Sequence, residues 1–334
     1  MTEPEWTPTL GPTAIMLAQY DECPLHCIFC RPKHSRLPDD VEDRLLEGIR
    51  EAVAMRGQRP CRLVCCNGEI FHLLKVRPKF RALLDGLPAM DPPVRLTFLS
   101  SGQLLDQWSD WVLERSDGFS ISLDSLDEDL HQRLRGISSL RIQRAMRTLV
   151  RKAGTRGNPK VSINAILMRS NIREMDAFVA FAAEIGVRIL QWSPLRPGRD
   201  TAFYEAEHIP TDSDEYQLVQ ANLARLKPFA LANGVRIYGF RFEPSTGPEA
   251  HCPTRTDIFC DNPWEKAFIH RDGKVTVCCG LNQSIGNLLE HPFSECWNSE
   301  KAVAIRHDLF EHKYKWCKWN LCQNAALFAK PKGA

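Results

Sequence analysis

Apolar residues in this chain fall into short runs, separated by longer stretches in which they recur every three or four positions. The runs over residues 13–18, 61–66, 94–99, 118–123, 161–167 and 187–192 predict six β-strands. Between them the spacing predicts helices. Examples are 41–55, where Leu45, Leu46, Ile49 and Val53 fall on one side, then 140–152, and 172–185, which Gly186 ends at the C-cap position. Strand and helix in alternation predict a parallel sheet, because parallel neighbours need a crossover and a helix supplies it. The expected fold class is therefore α/β, a partial (β/α)6 TIM-type barrel. Chemistry in such a sheet gathers at the carboxyl ends of the strands. The loops there carry unusual residues: the stretch 23–30, Asn67-Gly68-Glu69, Ser100-Ser101-Gly102, Asp124-Ser125 and Ser193-Pro194.

The pattern changes after about residue 200. One further helix is expected over 216–231 and a strand over 235–240, followed by a Pro-, Thr- and Gly-rich linker at 244–257. The remaining tail is too short for a large core of its own, and small domains of that kind usually need a metal or another staple. A hairpin is plain within it: 267–270 and 274–277 flank Asp272-Gly273, a tight-turn dipeptide, and deliver Cys278 at the end of the second strand. The expected organisation is a barrel over 1–200, a connecting helix and strand over 201–250, and a small Cys-rich domain over 251–334.

Composition narrows the function. With 43% hydrophobic and 25% charged residues the chain is a globular protein rather than a disordered one. Forty-three basic and 41 acidic residues give a net charge of +2 without any block of like charge, which excludes a dedicated nucleic-acid binder. No run of about 18 apolar residues exists, and residues 1–12 have neither the basic nor the apolar part of a secretion signal. No membrane partner and a cytoplasmic location are expected. The thirteen cysteines are an odd number in a chain without such a signal, which favours metal or redox chemistry over disulfides. They cluster as Cys23, Cys27 and Cys30; Cys61, Cys65 and Cys66; and Cys252, Cys260, Cys278, Cys279, Cys296, Cys317 and Cys322.

Cys23-x3-Cys27-x2-Cys30 follows the first strand, with Pro24 forbidding continued regular structure. Three thiolates can hold one face of a cubane cluster and leave one iron without a protein ligand. An open coordination position is what separates a catalytic metal site from a closed structural one. A zinc site completed by His26 or His34, or simply free thiols, would use the same residues.

The spacing, with Phe29 before the last cysteine, resembles the signature of the radical S-adenosylmethionine (radical SAM) superfamily. That resemblance implies a [4Fe-4S] cluster whose free iron is chelated by SAM, and reductive cleavage of SAM to a 5'-deoxyadenosyl radical. Other loops are similar to the family's motifs. Asn67-Gly68-Glu69-Ile70 looks like the GGEP motif that receives the SAM amino group, with Asn in place of the first Gly and Ile in place of Pro. Ser122-Leu123-Asp124 resembles the SxD segment near the SAM ribose and carboxylate. Asn164, Gln191 and Ser193 fall where the family places contacts to the methionine carboxylate, ribose or adenine. The resemblance covers about residues 13–197.

The tail resembles the SPASM and twitch extensions of the same enzymes, at Asp272-Gly273-Lys274-Val275, Cys278-Cys279, Gly286-Asn287-Leu288 and Trp297-Asn298-Ser299. The resemblance implies that Cys260, Cys278, Cys317 and Cys322 close one auxiliary [4Fe-4S] cluster. Only one is expected, since the tail lacks the dense cysteine run of a full SPASM domain, and its last pair is Cys-x4-Cys. Cys61, Cys65 and Cys66 are expected to pack as small hydrophobes, with adjacent Cys65 and Cys66 on opposite faces of their strand. Cys252, Cys279 and Cys296 are candidate hydrogen-atom donors to a substrate radical.

The substrate is expected in the barrel mouth between the two clusters. Because few residues precede the first strand, a small polar metabolite such as a sugar, aminocyclitol or nucleoside is expected, to be dehydrogenated, epimerised, dehydrated or decarboxylated. A peptide- or protein-modifying enzyme of the same superfamily is the alternative, and a non-catalytic iron–sulfur electron carrier is the alternative of another class. A flavodoxin- or ferredoxin-type donor is the expected redox partner.

Overall fold

The protein is described here by a computed structural model that covers residues 7–8, 10–18, 22–30, 36–66, 68–156, 160–198, 200–239, 260–278, 283–313 and 315–317. The six expected strands form as β1 (Ala14–Ala18), β2 (Cys61–Cys65), β3 (Val94–Ser100), β4 (Gly118–Ser122), β5 (Lys160–Leu167) and β6 (Ile189–Pro194). They lie side by side in chain order and all run parallel. A seventh, β7 (Arg236–Gly239), pairs parallel with β6. The strand expected at 235–240 as part of a connector is thus a member of the sheet. The sheet stays open rather than closing into a full barrel.

The first three crossovers carry α1 (Asp39–Ala54), then α2 (Ile70–Val76) with α3 (Pro78–Gly86), then α4 (Leu105–Arg115). The later ones carry α5 (Glu128–Arg135) with α6 (Ser139–Arg156), α7 (Met175–Ile185), and α8 (Thr201–Glu207) with α9 (Asp214–Ala232). Local chemistry sets the ends. Asp127 caps α5 by accepting from Leu130 N, Ser213 caps α9 in the same way, and Gly136 and Gly186 end their helices in the left-handed conformation. Burial alternates along β3, β4 and β5, less regularly along β1 and β2, where Ala14 and Val64 on the inner face are also buried. Leu63, Leu96, Phe119, Ile121, Ile163 and Leu190 are buried beneath the helices, whereas Arg62, Thr97, Ser120, Ser122, Ser162, Asn164 and Gln191 on the other face are half-buried or exposed. A parallel sheet ordinarily buries apolar side chains on both faces. The polar alternation here marks the inner face of an open barrel whose contents are polar.

The Cys-rich tail contains α10 (Asn262–Glu265), β8 (Lys266–His270), β9 (Lys274–Thr276), β10 (Gly286–Asn287), α11 (Phe293–Trp297) and α12 (Glu300–Phe310). The expected hairpin is β8–β9. Its location was not foreseen: β8 pairs parallel with β1, opposite Ala14 to Ala18, so the tail extends the barrel's own sheet from its other edge. The tail is also tied to α1, where Glu51 accepts from the backbone N–H of Phe293 (2.7 Å) and Ser294 (3.0 Å) at the start of α11.

Candidate active site

The loop after β1 carries Cys23, Cys27 and Cys30. Cys23 and Cys27 are half-buried and Cys30 is exposed. A turn from Cys30 N to Cys27 O and a bond from Ile28 N to Leu134 O at the end of α5 shape the loop. On its other flank, a Cβ at Gly198 would stand 2.6 Å from Phe29 O, so only a residue without a side chain lets the strand β6 loop lie this close. A buried ion cluster fixes where the loop begins. Arg77, between α2 and α3, donates to both carboxylate oxygens of Glu22, to Glu42 of α1 at 3.1 Å and to Leu37 O at 2.7 Å, and Leu37 N donates back to Glu22 at 2.6 Å. Burial pushes the Cys23 thiol up to about 12, and Glu69, Cys27 and Cys30 push in the same direction. Burial also raises Cys27, against the pull of Arg135.

The next loops converge on this one. Gly68 adopts φ +76°, a conformation glycine takes at little cost. Asn67 lies outside the described residues. The Glu69 carboxylate, 1% exposed, is turned inward: it accepts from Ser100 Oγ (2.6 Å) and Ser101 N (2.7 Å), and so joins the loops after β2 and β3. Asp124 is likewise fully buried. One of its carboxylate oxygens accepts from Ile166 N at 2.8 Å and the other from Arg135 Nε, while its carbonyl accepts from Asn171 Nδ2. Both side chains therefore tie together the loops in which the sequence places contacts to SAM. Ser125 and Leu126 N add bonds to Glu174 that pin the same turn.

Ser122, Asn164 and Gln191 are register partners on β4, β5 and β6 and form one row across the inner face. Ser193 donates to Asn164 Oδ1 at 3.2 Å, and the side chains of Ser122 and Gln191 have no partner among the described residues. This row stands ready for a polar ligand beside the cysteine loop. Below it the inner face carries Arg62, Arg95, Lys160 and Arg236, all exposed, and no carboxylate at any inward strand position of β2 to β7.

The second cysteine group is only partly described. Cys260 precedes α10, Cys278 follows β9 and Cys317 follows α12; all three are half-buried, and Cys322 lies outside the described residues, as do Cys252 and Cys279. Strand directions separate the groups. Cys23 follows the carboxyl end of β1, whereas the register of the β8–β9 hairpin, continued two residues past Thr276, brings Cys278 to the level of Ala14. Four residue steps of strand, about 13 Å, lie between those levels. Cys278 therefore stands toward the amino end of the sheet and Cys23 beyond its carboxyl end. Cys296 is a further correction. It is 2% exposed on α11, beside α1 on the helix-covered side, with its sulfur 2.5 Å from where a Cβ on Gly286 would be and its thiol raised to about 11 by burial and by Glu295 and Glu51. A donor to a substrate radical must reach the inner face, and Cys296 does not. Cys61 and Cys65 are buried as packing residues, while half-buried Cys66 points Sγ at Leu17 O, 3.4 Å away.

The donor set of the first loop fits an iron–sulfur cubane. Each thiolate of a cubane binds its own iron, so the ligands must converge without meeting. Cys23, Cys27 and Cys30 share one loop and are near enough to shift one another's ionisation, as ligands of one cluster must be. Residues 19–182 match the radical SAM superfamily, and residues 260–323 match the SPASM iron–sulfur cluster-binding domain. The chain belongs to the radical SAM superfamily.

This radical SAM enzyme accordingly uses SAM and a [4Fe-4S] cluster, with auxiliary iron–sulfur in its SPASM domain. No curated protein matches it in sequence. Its fold is shared with SuiB from Streptococcus suis bound to S-adenosylmethionine, with a TM-score of 0.61 and 16% identity over 88% of this chain and 67% of SuiB. It is shared equally with anSMEcpe bound to AdoMet and a peptide, with a TM-score of 0.62 and 17% identity over 97% of this chain and 92% of that one. SuiB bound to its precursor peptide SuiA gives 0.58 and 15%, over 88% and 66%. At these identities the likeness is one of fold. No described helix is long and apolar enough to cross a membrane.

Sequence reasoning overlooked Arg77, Arg135, Asn171 and Glu174. A buried arginine carries no local mark: Arg133 and Arg135 sit two apart on one helix, the first exposed and the second 8% exposed.

Proposed function

We propose that this enzyme modifies a peptide or protein by radical chemistry. The observation that carries the reading is the fold shared along nearly the whole chain, SPASM domain included, with SuiB and anSMEcpe, both of which have structures holding peptides. The small-metabolite expectation rested on the few residues ahead of β1 and has no comparable support. In this reading Cys23, Cys27 and Cys30 hold the radical SAM cluster, and Cys260, Cys278, Cys317 and Cys322 hold one auxiliary cluster. When bound, the cluster and SAM together supply reductive cleavage to methionine and a 5'-deoxyadenosyl radical able to remove a substrate hydrogen atom.

The chain's own residues then have separable tasks. Ser122, Asn164, Gln191 and Ser193 orient the polar parts of SAM. The backbone of Gly68 and Glu69 faces its amino group, while the Glu69 side chain keeps that backbone in place. The polar inner face, running from this row toward the auxiliary cysteines, accepts an extended segment, and Arg62, Arg95, Lys160 and Arg236 favour acidic side chains within it. A flavodoxin- or ferredoxin-type protein supplies the electron.

The test is to incubate anaerobically reconstituted enzyme, SAM and dithionite with deuterated synthetic peptides corresponding to small open reading frames beside its gene. Deuterium in 5'-deoxyadenosine, with a mass change in the peptide, is the expected outcome. Deuterium transfer from sugars or nucleosides but from no peptide would return the function to a small metabolite.

A further inference from the structure

Arg135 ends α5 with its side chain 10% exposed, and three contacts fix its guanidinium. Nε donates to Asp124, whose other oxygen is taken by Ile166 N; the group lies 5.2 Å from the centroid of the Phe29 ring; and Nη1 reaches Cys27 Sγ at 4.0 Å. The helix end is welded to the cysteine loop by the bond from Ile28 N to Leu134 O. The arrangement is directional. Asp124 is held on the far side by β5, so the positive end of the ion pair is the end presented to sulfur.

We propose that Arg135, oriented by Asp124, raises the reduction potential of the cluster bound through Cys27. This rests on the reading of Cys23, Cys27 and Cys30 as its ligands. Adding one electron makes the cluster and its thiolates more negative, and a fixed cation close to one ligand sulfur, in a poorly hydrated site, favours the more negative state. Hydrogen bonding to a ligand sulfur acts in the same direction. Phe29, its ring centroid 5.2 Å from the guanidinium carbon, covers one side of the group and attracts it through its ring face. Asp124 is then a positioning residue, and this use accounts for its full burial.

The experiment compares wild type, Arg135→Gln, Arg135→Lys and Asp124→Asn as full-length, anaerobically reconstituted proteins. Iron per chain is read first, then an electrochemical titration followed by electron paramagnetic resonance, then SAM affinity. Arg135→Gln should keep wild-type SAM affinity within about twofold. At the wild-type midpoint its ratio of reduced to oxidised cluster should fall about tenfold, a shift of about 59 mV to more negative potential for one electron. Arg135→Lys should recover part of the shift, and Asp124→Asn should show a smaller one. An unchanged midpoint in the loaded fraction of Arg135→Gln overturns the proposal, whatever the loading. A large loss of SAM affinity at an unchanged midpoint overturns it too and makes Arg135 a ligand of SAM. Wild type that binds no iron at this site, shown by equal iron in a Cys27→Ala protein, refutes the underlying ligand assignment instead.

Discussion

The two cysteine-bearing regions are held in place by different physics. The first loop has almost no regular backbone pairing, and buried charge positions it: Arg77 grips Glu22 just before Cys23, and Arg135 with Asp124 grips the middle. In the second region Cys278 inherits its place from the β8–β9 ladder, and apolar packing completes the support, with Phe293 and Trp297 stacked at 5.8 Å. Arg306 also bonds there to Pro263 O and Trp297 O, and burial lowers it to about 10. A ligand at a strand end needs only the strand. A ligand in a loop needs side chains that pay the cost of holding irregular backbone still.

The largest effect expected from this contrast is functional. Cys27→Ala should abolish formation of 5'-deoxyadenosine, whereas Cys278→Ala should lose the auxiliary iron and retain some SAM cleavage, both read by iron analysis and nucleoside release. Equal losses in the two variants would erase the distinction between the regions. Next comes the charge network. Arg77→Met takes the cation away from the buried carboxylates of Glu22 and Glu42 and should cost about 3–5 kcal/mol, whereas Arg306→Met takes the donor away from the Pro263 and Trp297 carbonyls and should cost about 1–3 kcal/mol, both measured by urea unfolding. Arg306→Met proving the more damaging would reverse the comparison.

A smaller effect tests packing in the second region. Gly286→Ala puts a methyl group 2.5 Å from Cys296 Sγ and should cost about 1–3 kcal/mol, only part of it recovered in the double variant with Cys296→Ala, which keeps Cβ at 2.8 Å and Cα at 3.0 Å. No recovery would mean that the crowding lies elsewhere. The smallest is an acid effect confined to the first region. Burial alone would raise Glu22, but bonds from Arg77 and Leu37 N, with the charge of Arg77, outweigh it and hold its carboxyl below the ordinary 4.5. A depressed carboxyl adds stability that is complete above its unfolded value and is lost as pH falls through the lowered native one. The protection factor of the Leu37 amide should therefore fall below about pH 4.5 relative to that of Ile285, whose N–H bonds to Val275 O on β9. A parallel fall at both would assign the change to global unfolding.

Much of this could be read in the order of residues. The six strands fall within one or two residues of their expected limits and the expected helices within about four, because each helix has a repeating apolar face and each strand a period of two. The first cysteine loop was legible because its ligands are neighbours in sequence. The second was legible as a hairpin but not as an addition to β1, since nothing local records which edge a strand will join. Glu69 and Asp124 stand out by motif, but the motif does not record which way their carboxylates turn. Whether a carboxylate faces a ligand or the interior depends on partners 31 residues away for Glu69 and 42 for Asp124.

The sequence by itself determined the alternation of strand and helix, the cysteine spacing and the chemistry that spacing can support, because these depend on neighbours along the chain. Only the tertiary structure decided that the tail extends the barrel's own sheet, that Cys296 lies away from the inner face, and that Arg135 stands against Cys27. Those outcomes depend on which distant groups meet in a dry interior, where a buried charge must find its partner or not be buried at all.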